Sequence, residues 1–183
     1  MWGSSPSDIY AAGYDGIILH STGDGVWTPQ VSGTTSDLHS IWGSSATDVF
    51  VVGKEGTILH SEGGGTWTRQ ASGTTRSLIG VWGETPTDVY VVGYAGTVLH
   101  STQPAVWTPE STGTTTNLTY IWGAGPSDLF ASGPGDTILH SSRDGTWSLE
   151  TVIPNAVQIT GIWGSGVDDI YAAGAPGIIM HGR

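Results

Sequence analysis

One pattern recurs five times along this chain: Trp-Gly, then Asp five residues after the glycine, then an aliphatic and an aromatic residue. Its copies begin at Trp2, Trp42, Trp82, Trp122 and Trp163, so the period is 40 with a single step of 41. A fixed period of this size means that one supersecondary unit is written repeatedly, as in a solenoid or a propeller. The repeats run over about 1–40, 41–80, 81–120, 121–161 and, in part, 162–183 of a single domain.

Each full repeat divides into four short apolar runs, A to D; in the second they are Leu38 to Trp42, Asp48 to Val52, Thr57 to His60 and Thr66 to Ala71. None is long enough for an ordinary helix, and β-branched and aromatic residues dominate them, which predicts strands and almost no helix. The B runs, such as Val49-Phe50-Val51-Val52, are apolar at every position and predict strands covered on both faces. Between B and C stand two residues flanked by glycines, Tyr14-Asp15 or Lys54-Glu55, which predicts a tight hairpin. Counting across that hairpin sets Asp8 opposite Ser21, Asp48 opposite Ser61, Asp88 opposite Ser101 and Asp128 opposite Ser141. The D–A links read Ser32-Gly33-Thr34-Thr35 and its copies, except for the fourth, Val152 to Val157.

The fold these runs specify is all-β: a β-propeller of five four-stranded antiparallel blades, the last lacking its outer strand. Stacking buries both apolar faces of each blade, and the nine tryptophans fill the wedges between blades. A five-bladed ring would leave Gly177 to His181 as an unpaired edge, open to self-association. Met1 occupies the place of Ile41, so the chain is expected to be an excised or engineered segment of something longer.

The pattern Ile-Trp-Gly…Asp-Val-Tyr…Gly-Thr-Ile-Leu-His-Ser…Trp-Thr resembles a repeat of large bacterial, often myxobacterial, proteins grouped with sialidase-type, BNR-like propellers, among them the photosystem II assembly-factor propeller. Ser21…Asp24-Gly25…Trp27 and Ser141…Asp144-Gly145…Trp147 are similar to the Asp-box of that group, one residue short. Blade number and tryptophan content are also similar to tachylectin-type lectins. The resemblance implies a bacterial binding module, extracellular or at the cell surface within a larger protein.

Sixteen acidic against five basic residues give a formal charge of −11, which disfavours nucleic acid and anionic membranes as partners. No apolar run is long enough to span a bilayer, so no membrane insertion is expected. Without cysteine there is neither a disulfide nor thiolate chemistry.

Asp8, His20 and Ser21 recur as Asp48, His60 and Ser61, as Asp88, His100 and Ser101, and as Asp128, His140 and Ser141; Asp169 and His181 complete the series. Chemistry rarely needs one set in every repeat, whereas a fold rule does, so these residues are expected to knot the A–B turn to strand C. Five histidines one blade apart cannot converge on a metal, and no metal or cofactor is expected. Neither an arginine cluster nor an inner-strand carboxylate pair marks a glycosidase. What varies between repeats is the B–C tip, where Tyr14, Asp15, Lys54, Glu55 and Tyr94 are the candidate ligand-binding residues. The expected function is a non-catalytic module for protein interaction or scaffolding. The alternatives are a multivalent carbohydrate-binding lectin and a repeat scaffold without a ligand.

Overall fold

The computed structural model describes residues 1–125, 127–135, 137–150, 158–166 and 168–182. Blade 1 comprises β1 (Trp2–Ser5), β2 (Asp8–Ala12), β3 (Ile18–Ser21) and β4 (Thr28–Gln30). Blade 2 comprises β5 (Leu38–Ser45), β6 (Asp48–Gly53), β7 (Ile58–Ser61) and β8 (Thr68–Gln70). Blade 3 has β9 (Leu78–Thr85), β10 (Asp88–Gly93), β11 (Val98–Gln103) and β12 (Val106–Glu110). Blade 4 has β13 (Tyr120–Gly125), β14 (Asp128–Ser132), β15 (Ile138–Ser141) and β16 (Ser148–Leu149). Blade 5 has three strands, β17 (Gln158–Gly166), β18 (Asp169–Ala175) and β19 (Ile178–Gly182). Each is an antiparallel meander in chain order. The expected all-β propeller arrangement, its last blade one strand short, is what forms. Helix among the described residues is limited to three-residue 3-10 turns at Tyr14–Gly16, Lys54–Gly56 and Tyr94–Gly96. The irregular link at Val152 to Val157 lies outside the described residues.

Strand B explains why the blades stack. Side chains alternate across a strand, so a run that is apolar throughout has two faces to bury. Val49 and Val51 of β6 enter a core shared with Tyr10 and Ile18 of blade 1. Phe50 and Val52, on the other face of β6, enter a core shared with Val81, Val89 and Leu99 of blade 3. Two further clusters join blade 3 to blade 4 and blade 4 to blade 5. Among the described residues no such cluster joins blade 5 to blade 1. Four such interfaces join the five blades among the described residues.

The Trp-Gly dipeptide is the joint of each interface. Trp2 projects its six-membered ring over Gly43, Trp42 over Gly83, Trp82 over Gly123 and Trp122 over Gly164, where a Cβ would approach the ring closer than 3.0 Å. Among the described residues no glycine lies under Trp163, which is 45% exposed.

A second tryptophan points backwards. Trp67 meets Tyr10 of the preceding blade edge-on at 6.1 Å, and Trp107 meets Phe50 at 6.2 Å. Trp107 donates its indole N–H to Gln70 Oε1 at 2.7 Å, and Trp147 donates to Glu110 Oε2 at 2.7 Å. Consecutive blades from 1 to 4 are thus pinned once near strand A and once near strand D.

The B–C hairpin corrects the register expected from the sequence. Gly13 N–H donates to Ile17 C=O and Ile17 N–H returns to Tyr14 C=O, so Gly13 faces Ile17 instead of Gly16. The turn's left-handed residues are Asp15 and Gly16, with φ of 54° and 71°; Glu55-Gly56 and Ala95-Gly96 repeat this. Strand C is displaced by one residue as a result. Ser21 faces Ile9 and His20 faces Tyr10, and the same shift pairs Ser61 with Val49, Ser101 with Val89 and Ser141 with Leu129.

Gly56 is required twice over: φ is +65°, and a Cβ would collide with the Thr74 carbonyl of the D–A loop. Gly73, at φ +72°, has open space around its Cβ position. Gly73→Ala should cost only the left-handed penalty, about 1–2 kcal/mol. Gly56→Ala should add steric displacement of the loop, for a total of about 3 kcal/mol or more. Urea unfolding of the two variants measures the difference.

Candidate functional site

The recurrent polar set lies on one row of each blade. Strand A tryptophan, strand B aromatic and strand C histidine stack side by side, with Trp42 6.3 Å from Phe50 and Phe50 4.2 Å from His60. Each histidine Nε2 meets an aspartate Oδ1 from the A–B turn: His20 with Asp8, His60 with Asp48 and His100 with Asp88 at 2.7 Å, His140 with Asp128 at 2.9 Å, and His181 with Asp169 at 3.0 Å. The second carboxylate oxygen accepts a hydroxyl from Ser4, Ser44, Ser127 or Ser165 in blades 1, 2, 4 and 5.

The strand C serines turn elsewhere. Ser21, Ser61 and Ser141 accept backbone N–H groups from Gly23, Gly63 and Arg143 in the C–D turn, and Ser101 donates to Gln103 C=O. Asp and His are joined in each blade, then, while Ser serves a different turn. Among the described residues no hydrogen bond joins this serine to the histidine. Among the described residues no group of three or more His, Cys, Asp or Glu is placed to hold a metal ion.

Blade 3 departs from the rule and gains two ion pairs. Glu84 stands where blades 1, 2 and 5 have Ser4, Ser44 and Ser165, and Arg143 of blade 4 stands where blades 1 and 2 have Gly23 and Gly63. The Arg143 guanidinium bonds Glu84, lies 3.1 Å from Asp88 Oδ2, and sits 5.0 Å from the Trp82 ring centre and 5.6 Å from that of Tyr90. Removing it leaves two carboxylates facing each other beside an aromatic wall. Arg143→Gly should cost about 2–3 kcal/mol. Arg143→Gly with Glu84→Ser restores the blade 2 pattern and should regain at least about half of that loss in a double-mutant cycle read by denaturant unfolding.

His100 is held from both sides, by Asp88 and, through Nδ1 at 3.1 Å, by Glu110. Burial opposes its charge, but hydrogen bonds to Glu110 and Asp88 outweigh burial and raise its pKa above the ordinary value. A raised folded pKa means that charged His100 stabilises the fold fully below the ordinary pKa of about 6.5. That contribution fades as pH climbs through the raised value. The Tm difference between wild type and His100→Gln should therefore be largest near pH 6 and shrink towards pH 9, as thermal melts across that range will measure.

The opposite face carries the B–C tips and the D–A loops. Asp37 stitches blade 1 to blade 2 there: its Oδ1 accepts the Asp15 N–H at 3.1 Å, and its Oδ2 pairs with Lys54 Nζ at 2.5 Å. These two partners, Lys54 first, hold its carboxyl below the usual range. Asn117 does the same for blade 3, accepting the Ala95 N–H at 3.0 Å.

Two clefts open side by side between these tips. The first, of about 940 Å³ between blades 1 and 2, brings together Tyr14, Asp15 and Glu55 with Arg69 and the Ser32–Ser36 loop. The second, of about 680 Å³ between blade 2 and the loop that leaves it, shares Glu55 and Arg69 and adds Arg76 and the Ser72–Thr75 loop. Arg69 donates to Glu55 C=O at 3.4 Å, and Arg76 to Ala95 C=O at 3.3 Å. Tyr94 lies apart, in a recess of about 190 Å³ with Tyr120, Asn117 and Ile159. Of the five candidates, Tyr14, Asp15 and Glu55 meet in one cleft, Tyr94 stands in another, and Lys54 is engaged by Asp37.

Arg69, Arg76, Asp37 and Tyr120 belong to this face without having been singled out by sequence. Position 37 carried a signal, since its counterparts Ser77 and Asn117 are also short polar residues just ahead of strand A.

No family model matches the chain, and no curated protein sequence matches it. Solved structures do share the fold. YCF48 from Cyanidioschyzon merolae matches at TM-score 0.75 and 15% identity, over 97% of this chain and 64% of that one. Catalytically inactive virginiamycin B lyase from Staphylococcus aureus, with quinupristin, matches at 0.76 and 16%, over 93% and 63%. YCF48 bound to D1 peptide matches at 0.51 and 13%, over 99% and 76%. The likeness is one of fold: this chain shares their all-β propeller architecture. It spans less than two thirds of the first two. No helix is long and apolar enough to cross a membrane among the described residues.

Proposed function

We propose that this chain is a non-catalytic interaction module that takes an extended segment of a partner protein across its tip face. The observation that carries the proposal is the pair of adjoining clefts, which share Glu55 and Arg69 and lie side by side on the tip face of blades 1 and 2 and their D–A loops. An extended peptide spans about 3.3 Å per residue, and adjoining clefts of this kind suit it better than a compact metabolite. Tyr14, 76% exposed at the rim, offers an amphipathic ring of the sort that anchors interfaces. Three of the five Lys and Arg residues, Lys54, Arg69 and Arg76, stand on this face of an otherwise acidic chain. Among the neighbours of this fold, YCF48 has been seen with a peptide, the D1 peptide, and that is compatible with the reading.

A second reading has an observation of its own. The Ser-Gly-Thr-Thr loop lines both clefts, so a carbohydrate held through hydroxyls would find two equivalent sites, as a multivalent lectin requires. A scaffold with no ligand is the third. The Asp-box likeness of the C–D turns is supported by Asp24 and Asp144, which each accept the N–H two residues on.

Stoichiometry separates the readings. A fluorescent random-peptide library and a glycan array should be screened with the same folded sample, and hits measured by calorimetry. The expected result is one peptide per chain, weakened about tenfold or more by Tyr14→Ala or Arg69→Ala and unchanged by Glu62→Gln on the opposite face. Two or more sugars per chain would replace this reading with the lectin, and blanks on both screens would leave the scaffold.

A further inference from the structure

Two of the blade joints are closed at the outer rim by a backbone bridge, Val31 with Thr66 between blades 1 and 2 and Ser111 with Thr146 between blades 3 and 4. The corresponding pair between blades 2 and 3 is Ala71 and Val106, and no bridge joins them. The C–D turn of blade 3 accounts for the difference. Pro104 and Ala105 stand there in place of Asp24-Gly25 of blade 1 and Asp144-Gly145 of blade 4. Strand β11 runs on to Gln103, which pairs with Val106 across a two-residue turn with Ala105 at φ 59°. Between this hairpin and blade 2 opens a cleft of about 540 Å³, lined by His60, Glu62, Thr68 and Gln70 on one side and by Pro104 and Ala105 on the other. Small-molecule sites have volumes of about 300–1,000 Å³.

Two of the lining groups are set from behind, so that each presents one defined end. His60 stacks on Phe50, and its Nε2 meets Asp48 Oδ1 at 2.7 Å. An ionised carboxylate only accepts, so Nε2 carries the proton and Nδ1 of the neutral ring is an acceptor. In blades 3 and 4 that nitrogen is met by Glu110 or Glu150. The matching residue of blade 2 is Gln70, whose Oε1 already takes the Trp107 N–H at 2.7 Å. The amide oxygen is thereby fixed, and the amide NH2 remains as a donor. Gln70 is only 8% exposed, yet this NH2 meets no partner among the described residues. The same holds for His60 Nδ1, the Thr68 hydroxyl and the Glu62 carboxylate. Polar groups so placed are satisfied by water or by a ligand. Glu62 is also particular to this blade, its counterparts being Thr22, Thr102 and Ser142.

We propose that this cleft binds a small primary amine with a carbonyl beside its ammonium group, the chemistry of an amino-acid amide. An ammonium has three donors and no acceptor, which answers His60 Nδ1, Glu62 and the Thr68 hydroxyl. The carbonyl answers the Gln70 amide NH2. A formal charge of −11 concentrates cations at the surface, whereas a carboxylate of the same size would face Glu62. Because Asp48 and Trp107 already hold two of the recognising groups, little side-chain freedom is lost on binding. The proposal does not rest on the tip-face reading.

The test is an NMR titration of the isotope-labelled chain with alaninamide at millimolar concentrations. Saturable 1:1 binding is expected, with shifts at the backbone amides of Gly63, Thr68 and Ala105. N-acetylalaninamide, which keeps the carbonyl and loses the charge, should bind about tenfold or more weakly, and so should alaninamide to the Glu62→Gln chain. Pro104→Asp combined with Ala105→Gly restores the turn of blade 4 and should abolish binding while the rest of the spectrum is kept. Equal affinity for the two compounds would overturn the proposal, as would binding that survives the turn exchange or the absence of any saturable shift. Equal shifts from ammonium chloride would overturn it too, since they would report only a cation drawn to an acidic surface.

Discussion

Everything else in this molecule depends on an indole ring lying on a bare backbone. A Cβ at Gly83 or Gly123 would enter the ring of the preceding tryptophan, so the glycine is half of the contact, and the two residues are adjacent in sequence because each blade must both give and receive. Large flat side chains suit this contact because they bury much apolar area with few torsions to fix. Once strand A is set by this contact, strand B finds a neighbour on each face, and its unbroken apolar run becomes an advantage. A fully apolar four-stranded meander alone would expose two such faces and would aggregate.

How much could be read beforehand follows from which interactions are local. Strand number, blade number and the two-faced character of strand B come from periodicity and composition within forty residues, and these were legible. The register of the hairpin was not. It turns on whether two or three residues follow Gly13 before pairing resumes, and Asp15 adopting φ of 54° beside Gly16 decides it. Asp can occupy that region as glycine does, so the residues flanked by glycines were mistaken for the turn itself. The Asp–His contact was visible as a recurrence, yet the serine beside it, equally recurrent, belongs to the next turn. Recurrence shows that a residue obeys a rule and leaves open which rule.

Among the tip residues, Lys54 illustrates the same limit. A lone basic residue at a hairpin end looks free for a ligand, and its partner Asp37 comes from outside the hairpin, in the D–A link. Arg69 and Arg76 fall at unmatched repeat positions, which hid the fact that both line one cleft. Function in a repeat fold is written in departures from the pattern, and departures made in different repeats have no sequence spacing by which to be recognised as a group.

The pairing of Arg143 with Glu84 has a meaning for assembly as well as for strength. Blades this alike are interchangeable to first order: any tryptophan could lie on any of the five glycines, and a nascent chain or a crowded solution offers many wrong neighbours. Among the described residues only one blade brings a guanidinium to its C–D turn, and only one has a carboxylate in place of the A–B serine to receive it. Were blade 4 to dock on blade 1 or 2, the cation would face a serine hydroxyl and lose one of its two carboxylates; were blade 2 to dock on blade 3, Glu84 and Asp88 would meet a glycine. The pair works as an address, fixing the order of near-identical parts by penalising each wrong juxtaposition at the one interface where it matters.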